Sequence, residues 1–394
     1  MMIQAVLGNP SHPEYGVATI PFPIPHNQYT HCMELLEALE IGDAVKADCK
    51  VEKIDSFYTV LKRTEMLTVN AEELNYLAKR LDSFDTGEAA QFQAMAHKLE
   101  LFELKDLINL TFCCQQTTVI TDFSDLAAIG RDHYMNLHGG SASVDELNKL
   151  DGKGTARQLI ESGSGTITPY GVVYDNGMKL EQVYDGRFFP CYYYEPNAIT
   201  IAVTSKAEPE DTEHITWLFL PMVQEEIDRA LLRGGITDPA DVRLRLEDSQ
   251  LPNEVDVLLD MEYENLSDLN ELAAATDGLS KADMEKLGAV VTLAEPKSAA
   301  QIKNLAKNLD LFDFAPDAHS PADYGKYMIR QSGRFEYDEN LDAFYDYEKY
   351  GAERMNEEDG MFTDRGYIAY KGYYSMEEVM NGSQSSHMEM GGMM

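Results

Sequence analysis

Apolar residues recur along this chain at two spacings, one typical of helices and the other of strands. The stripe of Cys32, Leu35, Leu36 and Leu39 predicts an amphipathic helix over 28–39. Further helices, some opened by a capping side chain, are predicted at 71–81 after Asn70, 87–98, 223–232, 268–276 after Ser267, and 281–293 after Ser280. Extended segments are predicted at 17–24, 45–54, 215–220 and 242–246. This mixture predicts an α+β fold.

The chain also resembles itself at an offset of about 195 residues. The sequence LNYLA at 74–78 recurs as LNELA at 269–273, and Gly130 and Gly171 are followed at the same offset by Gly325 and Gly366. Because the matches keep their order over most of each half, we expect two tandem copies of one unit. The first copy runs from the N-terminus to about 186, and the second from about 198 to 375.

Each copy is expected to hold an N-terminal module, a central helical module and a C-terminal module. The predicted boundaries are 1–68, 69–122 and 123–187 in copy one, and 188–264 (with the connector), 265–318 and 319–375 in copy two. The connector 188–196 is apolar, so we expect it to pack between the copies or to add a strand. The low-complexity tail 376–394 is expected to be flexible.

The net charge of this chain is far more negative than that of an average globular protein. It has 68 Asp and Glu against 32 Lys and Arg, a net charge of -36. Residues 201–394 hold 40 of the acidic and 17 of the basic residues, so the excess is concentrated in the second half. Such a chain is not expected to bind nucleic acid or an anionic membrane, both of which need basic surface. It is suited to a basic partner, while solubility or salt adaptation is the simpler reading.

The same sequence predicts a cytoplasmic location. It contains no run of 18 apolar residues, and its first residues lack the basic start of a signal peptide. The five cysteines are irregularly spaced and include the vicinal pair Cys113 and Cys114. We therefore expect reduced thiols, with this pair acting as small buried hydrophobes.

Catalytic and metal-binding motifs are missing or incomplete. The GKGT sequence at 152–155 lacks the upstream glycine of a phosphate loop. The acidic run that starts at Asp338 resembles a calcium loop, but Ala343 and Lys349 occupy its sixth and twelfth positions. The nine histidines form no cluster. We predict no enzyme activity, no cofactor and no metal.

The candidate binding residues are carboxylates of the second copy. On one helix face, side chains three or four positions apart lie about 5–6 Å from each other, a scale comparable to the charge spacing of duplex DNA. The carboxylates that we predict to imitate phosphates are Glu225, Glu226, Asp228, Glu254, Asp256, Asp260, Glu262, Glu264, Asp338, Glu339, Asp342, Asp346, Glu348, Glu353, Glu357, Glu358 and Asp359. The sequence also leaves open that these residues are only a solvated face.

Four motifs in the second copy together resemble the ArdA antirestriction family. They are the strand and proline at 218–221 followed by an acidic helix, the LNELA helix at 269–273, the DYEKYG segment at 346–351, and the GYI strand at 366–368. Copy one keeps LNYLA but has KLDGKG at 149–154 instead of the acidic tyrosine segment. Binding by copy one is therefore expected to be weaker or absent.

The resemblance implies an inhibitor that imitates bent DNA. Family members are elongated, curved chains of three small α+β modules with an acidic surface, usually paired as dimers. They occupy the DNA-binding cleft of Type I restriction-modification enzymes, so the implied partner is the methyltransferase and specificity core, and a homodimer is possible. The alternative is an acidic decoy for another basic DNA-binding or defence protein.

Overall fold

Helices alternate with four small sheets in the part of the chain that the computed structural model describes, residues 2–207 and 212–382. The predicted α+β class is confirmed. The chain forms two units. Unit 1 comprises Met1–Glu195, Asp211–Thr216 and Val223–Pro239, and unit 2 comprises Pro196–Glu210, Trp217–Met222 and Ala240–Met394.

Unit 1 contains seven described strands and eight described α-helices. The strands are β1 (Ile3–Gly8), β2 (Val17–Phe22), β3 (Cys49–Asp55), β4 (Thr68–Val69), β5 (Thr118–Ile120), β6 (Thr166–Thr168) and β7 (Gly171–Tyr174). The helices are α1 (Tyr29–Glu37), α2 (Ala71–Asp82), α3 (Thr86–Lys98), α4 (Leu104–Leu110), α5 (Leu126–Leu137), α6 (Val144–Lys149), α7 (Gly152–Glu161) and α8 (Gln224–Arg233).

The first sheet of unit 1 shares one core with the helices that follow it. Strand β1 lies antiparallel between β2 and β3, and β4 completes the sheet at the β3 edge. The core extends from Ile3 in β1 through Leu77 in α2 and Phe92 in α3 to Tyr184. This core continues across the boundary predicted between 68 and 69, and the division into modules stays a prediction. Helix α2 begins where predicted, because the Asn70 side chain accepts a hydrogen bond from the Glu73 amide.

A second, smaller core lies in the C-terminal part of unit 1. Strand β7 pairs with β5 and β6, and Ile120, Ala156 and Leu159 are buried beside it. Helices α5 and α7 approach so closely that a Cβ on Gly130 would lie 1.8 Å from the Gly152 carbonyl oxygen. Only glycine permits this contact.

The connector 188–196 packs on unit 1 and forms no strand, so the predicted strand is wrong. The Phe189 ring stacks on Tyr76 at 4.5 Å between centroids, and the Tyr76 hydroxyl donates to the Pro190 carbonyl at 2.9 Å. The Tyr194 hydroxyl donates to the Asp82 carboxylate at 2.7 Å. The connector is thus held against helix α2 through Phe189, Pro190 and Tyr194. The next strand, β8, begins only at Ile199.

Unit 2 contains six described strands and seven described α-helices. The strands are β8 (Ile199–Ser205), β9 (Thr216–Leu220), β10 (Val242–Ser249), β11 (Phe312–Pro316), β12 (Asp359–Thr363) and β13 (Gly366–Tyr370). The helices are α9 (Asn253–Leu258), α10 (Leu266–Thr276), α11 (Lys281–Ala294), α12 (Ala299–Ala306), α13 (Pro321–Arg330), α14 (Tyr347–Glu357) and α15 (Met376–Met380).

Strand order follows one pattern in the two units. The earliest strand is central in each first sheet, with β8 between β10 and β9 as β1 lies between β2 and β3. The latest strand is central in each second sheet, with β13 between β11 and β12 as β7 lies between β5 and β6. This order is what a duplication requires, and the duplication itself stays a prediction.

Two boundaries in unit 2 differ from those predicted. Helix α10 starts at Leu266, because Asn265 rather than Ser267 accepts the hydrogen bond from the Asp268 amide that caps it. The tail predicted from 376 begins with helix α15, where a Ser375 and Glu378 capping box and the buried Val379 hold the chain. Residues 383–394, the rest of that tail, lie outside the described residues.

Candidate functional site

The acidic loop, defined here as residues 331–348, connects helices α13 and α14 in unit 2 and includes the first two residues of α14. The two helices cross at glycines: a Cβ on Gly325 would lie 2.1 Å from the Tyr347 carbonyl oxygen, and one on Gly351 would lie 1.8 Å from that of Pro321. The loop contains a short 3₁₀ helix, Glu339–Phe344.

Asp342 holds this loop in place. Its Oδ1 accepts hydrogen bonds from the Tyr337 hydroxyl at 2.7 Å, from Arg330 Nε at 3.0 Å, and from the Tyr347 hydroxyl. These hydrogen bonds lower the pKa of Asp342 to about 2, and the bond from Tyr347 contributes most. In turn, the hydrogen bond to the Asp342 carboxylate raises the pKa of Tyr337 to about 12. Asp342 therefore anchors the loop from within the protein, and its predicted role in imitating a phosphate stays a prediction.

The other carboxylates of the loop are exposed. Asp338 caps the 3₁₀ helix by accepting from the Asn340 amide at 2.9 Å, and Asp346 caps α14 by accepting from the Lys349 amide at 3.1 Å. Glu339 and Glu348 are exposed as well. These four side chains carry charge to solvent from a loop that Asp342 fixes.

Beyond the loop, the predicted carboxylates of α14 and β12 divide into two groups. Glu353, Glu357 and Asp359 are exposed. Glu358 is largely covered, because its carboxylate accepts from the Tyr324 hydroxyl at 2.6 Å and from Arg354. Glu358 is thus an internal partner, and this carboxylate raises the pKa of Tyr324 further than burial alone.

Glu254 belongs to an ion cluster inside unit 2. Both of its oxygens accept from Arg365, at 2.7 Å from Nε and 2.8 Å from Nη2, and Arg365 also donates to Glu285. This bidentate contact lowers the pKa of Glu254. Arg365, in the turn between β12 and β13, joins α9 to α11, so Glu254 serves the fold.

The predicted carboxylates around α9 and α10 also differ in exposure. Asp260 and Glu262 are exposed. Burial raises the pKa of Asp256 and of Glu264, and the Glu264 carboxylate accepts from the Ala299 amide at 2.9 Å. A carboxylate in such a position is poorly suited to an external partner.

The three acidic residues predicted on α8 lie in unit 1. Glu226 is mostly covered and forms an ion pair with Lys79 at 3.5 Å. Asp228 is exposed and accepts from Gln224 at 2.8 Å, and Glu225 is half-buried. Only Asp228 of this group presents an open charge.

Sequence reasoning missed the arginines that fix α8 within unit 1. Arg233 is 4% exposed, and its guanidinium donates to the Arg187 and Ala44 carbonyls at 2.7 and 2.8 Å. Arg229 donates to Glu72 at 2.6 Å. Two arginines four residues apart in an otherwise acidic helix were the available signal. They share one face of α8, and buried guanidinium groups need carboxylate or carbonyl partners.

No group of three histidine, cysteine or acidic residues able to hold a metal occurs in 2–207 and 212–382. Cys113 and Cys114 are buried, as predicted, and burial raises the pKa of each thiol. Cys191 is exposed. None of the described helices is long and apolar enough to cross a membrane.

A comparison with protein families matches residues 212–369 to the family described as Antirestriction protein (ArdA). The match covers strands β9 to β12, helices α8 to α14 and the acidic loop, and it ends in strand β13. No curated protein matches the chain. The four motifs at 218–221, 269–273, 346–351 and 366–368 all lie inside the matched range. The resemblance predicted from these motifs is confirmed over this range: residues 212–369 match the ArdA antirestriction family.

Proposed function

We propose that this chain is a non-enzymatic antirestriction protein that imitates DNA and occupies the DNA-binding cleft of Type I restriction-modification enzymes. The observation that carries the proposal is the ArdA match over 212–369, within which the acidic loop exposes Asp338, Glu339, Asp346 and Glu348. In this mechanism, carboxylates replace phosphates against the lysines and arginines of the methyltransferase and specificity core.

The proposed contact relies on exposed charge at fixed positions. Residues 336–348 contain six carboxylates and no lysine or arginine, and five of the six remain when Asp342, the partner of Arg330, is set aside. Asp338 and Asp346 are held by the backbone amides that they cap, so their side chains lose little conformational freedom on binding. A basic cleft that is built for a rigid polyanion gains from such preorganised charge.

Asp228, in unit 1, is a separate exposed candidate. In unit 2, exposed carboxylates outside the loop extend the proposed binding surface: Asp260, Glu262, Glu353, Glu357 and Asp359. Asp342, Glu254 and Glu358 are omitted from it, because arginine or tyrosine side chains of the chain itself already occupy them. Tandem duplication would give one chain two such regions, and pairing of two chains would extend the surface further.

Binding of charge-neutralised variants to a Type I methyltransferase core tests the proposal. The triple variant Asp338→Asn, Asp346→Asn, Glu348→Gln is expected to bind at least tenfold more weakly at about 0.1 M salt, where the Debye length is about 10 Å. Asparagine retains the cap at both aspartate positions, so the fold should persist.

The matched control removes three exposed charges from unit 1: Asp145→Asn, Glu146→Gln, Asp151→Asn. Asp151 is also a capping residue, at the start of α7, and Glu146 belongs to the capping box of α6. This control is expected to bind like the parent. Equal loss in the two variants would mean that only total charge matters, and no loss in either would place the contact elsewhere.

A further inference from the structure

The acidic loop carries an exposed apolar tip among its carboxylates. The Phe344 side chain is 83% exposed, and Leu341 is 48% exposed. In a 3₁₀ helix, residues three apart eclipse each other, so Leu341 and Phe344 lie on one side of the turn Glu339–Phe344. Asp342 lies on another side, where its carboxylate meets Tyr337, Tyr347 and Arg330.

The turn that carries the apolar tip, Leu341 and Phe344, is fastened to its neighbours through Asp342. The three donors to Asp342 come from α13, α14 and the loop itself, and they grip the middle of the turn. Arg330 lies over the Tyr347 ring at 5.4 Å, and Tyr345, the residue after the tip, lies 5.8 Å from the same ring. A solvated loop needs no such fixation, whereas a preorganised apolar side chain binds with a smaller entropic cost.

Charge around the tip indicates what kind of surface covers it. Asp338, Glu339, Asp346 and Glu348 surround Leu341 and Phe344 in sequence, and 336–348 contain no cation. A purely electrostatic imitation of phosphate gains nothing from an exposed phenylalanine. A surface that complements this loop must combine basic side chains with an apolar depression at the centre.

We propose that Phe344, supported by Leu341, is the apolar anchor of the complex and inserts into a nonpolar pocket inside the basic DNA cleft of the restriction methyltransferase. The inference rests on the proposed function and assigns this tip the role that buried aromatic residues have at protein interfaces, where few side chains provide most of the affinity. Proteins that read DNA sequence also use apolar side chains to contact thymine methyl groups. Such apolar side chains in the cleft would form the pocket for Phe344.

The test is the affinity of Phe344→Ala for a Type I methyltransferase core, measured across a salt series. Loss of the anchor should weaken binding about tenfold at every salt concentration and leave the slope of log affinity against log salt unchanged. The triple carboxylate variant should instead flatten that slope. The matched control is Tyr373→Ala, a fully exposed aromatic residue outside the loop, which should bind like the parent.

Each other result has a distinct meaning. If Phe344→Ala and the parent bind equally, the anchor is wrong while the electrostatic function stands. If the parent does not bind the methyltransferase, the proposed function and the anchor are both overturned. If Phe344→Ala instead converts a dimer to a monomer in sedimentation and leaves methyltransferase affinity intact, a second copy covers the tip and the inference is overturned. Circular dichroism of the variant should match the parent, because the side chain touches little.

Discussion

Replacing Arg233 by alanine is expected to lower the free energy of unfolding by about 4 kcal/mol. The guanidinium is buried and serves at least four acceptors in unit 1, among them the Ala44 and Arg187 carbonyls and Asn70 Oδ1 at 3.1 Å. It also lies 4.3 Å from the centroid of the Phe189 ring. Breaking a buried charge pair from one side costs roughly 3–5 kcal/mol, because the partner groups stay behind unsatisfied.

The magnitude follows from what the variant leaves in place. Glu73 still accepts from the Tyr184 hydroxyl at 2.7 Å, so its carboxylate keeps one donor and the loss stays below the sum of all contacts. The Arg187 and Ala44 carbonyls, in contrast, lose the hydrogen bonds that Arg233 donates to them. For a unit of this size, about 4 kcal/mol corresponds to a fall in Tm of roughly 8–16 °C.

Urea unfolding followed by far-ultraviolet circular dichroism measures this change. Arg233→Lys should lose most of the same stability, because an ammonium cannot reach three carbonyl and amide acceptors at once. Arg245→Ala is the control, since Arg245 pairs with Glu247 at an exposed site and should cost about 0.5 kcal/mol or less. An Arg233→Ala protein within about 1 kcal/mol of the parent would refute the idea that this arginine fixes α8.

Three other experiments have expected outcomes. Ellman's reagent should label one thiol, Cys191, rapidly in the native protein and all five only after unfolding, and fast labelling of a second cysteine would contradict the buried positions. Arg365→Ala should destabilise unit 2 by roughly 2 kcal/mol in urea titrations, because the bidentate contact with Glu254 is lost. An unchanged urea midpoint would refute the role of Arg365 in joining α9 to α11. The pKa of Asp342, lowered from 3.8 to about 2, means that its contribution to stability is complete above about pH 4 and is lost as the pH falls toward 2. Asp342→Asn should therefore be less stable than the parent at pH 7 but nearly equal at pH 2, which urea midpoints at both values check.

Local signals in the sequence predicted the elements well. Asn70 and Ser280 cap helices where predicted, and the apolar stripe after 28 became α1. These features depend on neighbours within one or two turns, so periodicity and capping chemistry suffice. Strands β1 and β8 were not predicted. β8 is buried along almost its whole length, so it lacks the alternation that marks a half-exposed strand. β1 does alternate, with Gln4 exposed between the buried Ile3 and Ala5, and this signal was overlooked.

Exposure of individual carboxylates could not be predicted. In sequence, Asp342 and Asp346 look equivalent within one acidic run, yet Asp342 is bound by two tyrosines and an arginine while Asp346 is exposed. The partners that distinguish them come from the crossing of α13 and α14, a tertiary contact made possible by Gly325 and Gly351. Glu254 is similar, because its partner Arg365 lies 111 residues away.

Competition for a Type I methyltransferase core tests the central claim most directly. Labelled duplex DNA bound to the core is titrated with this protein at several salt concentrations, and binding of the protein to the duplex alone is measured in parallel. If exposed carboxylates occupy the DNA cleft, the protein displaces the duplex, its affinity falls steeply as salt rises, and it does not bind DNA. A ternary complex of core, duplex and protein, or an affinity that does not change with salt, would contradict DNA imitation.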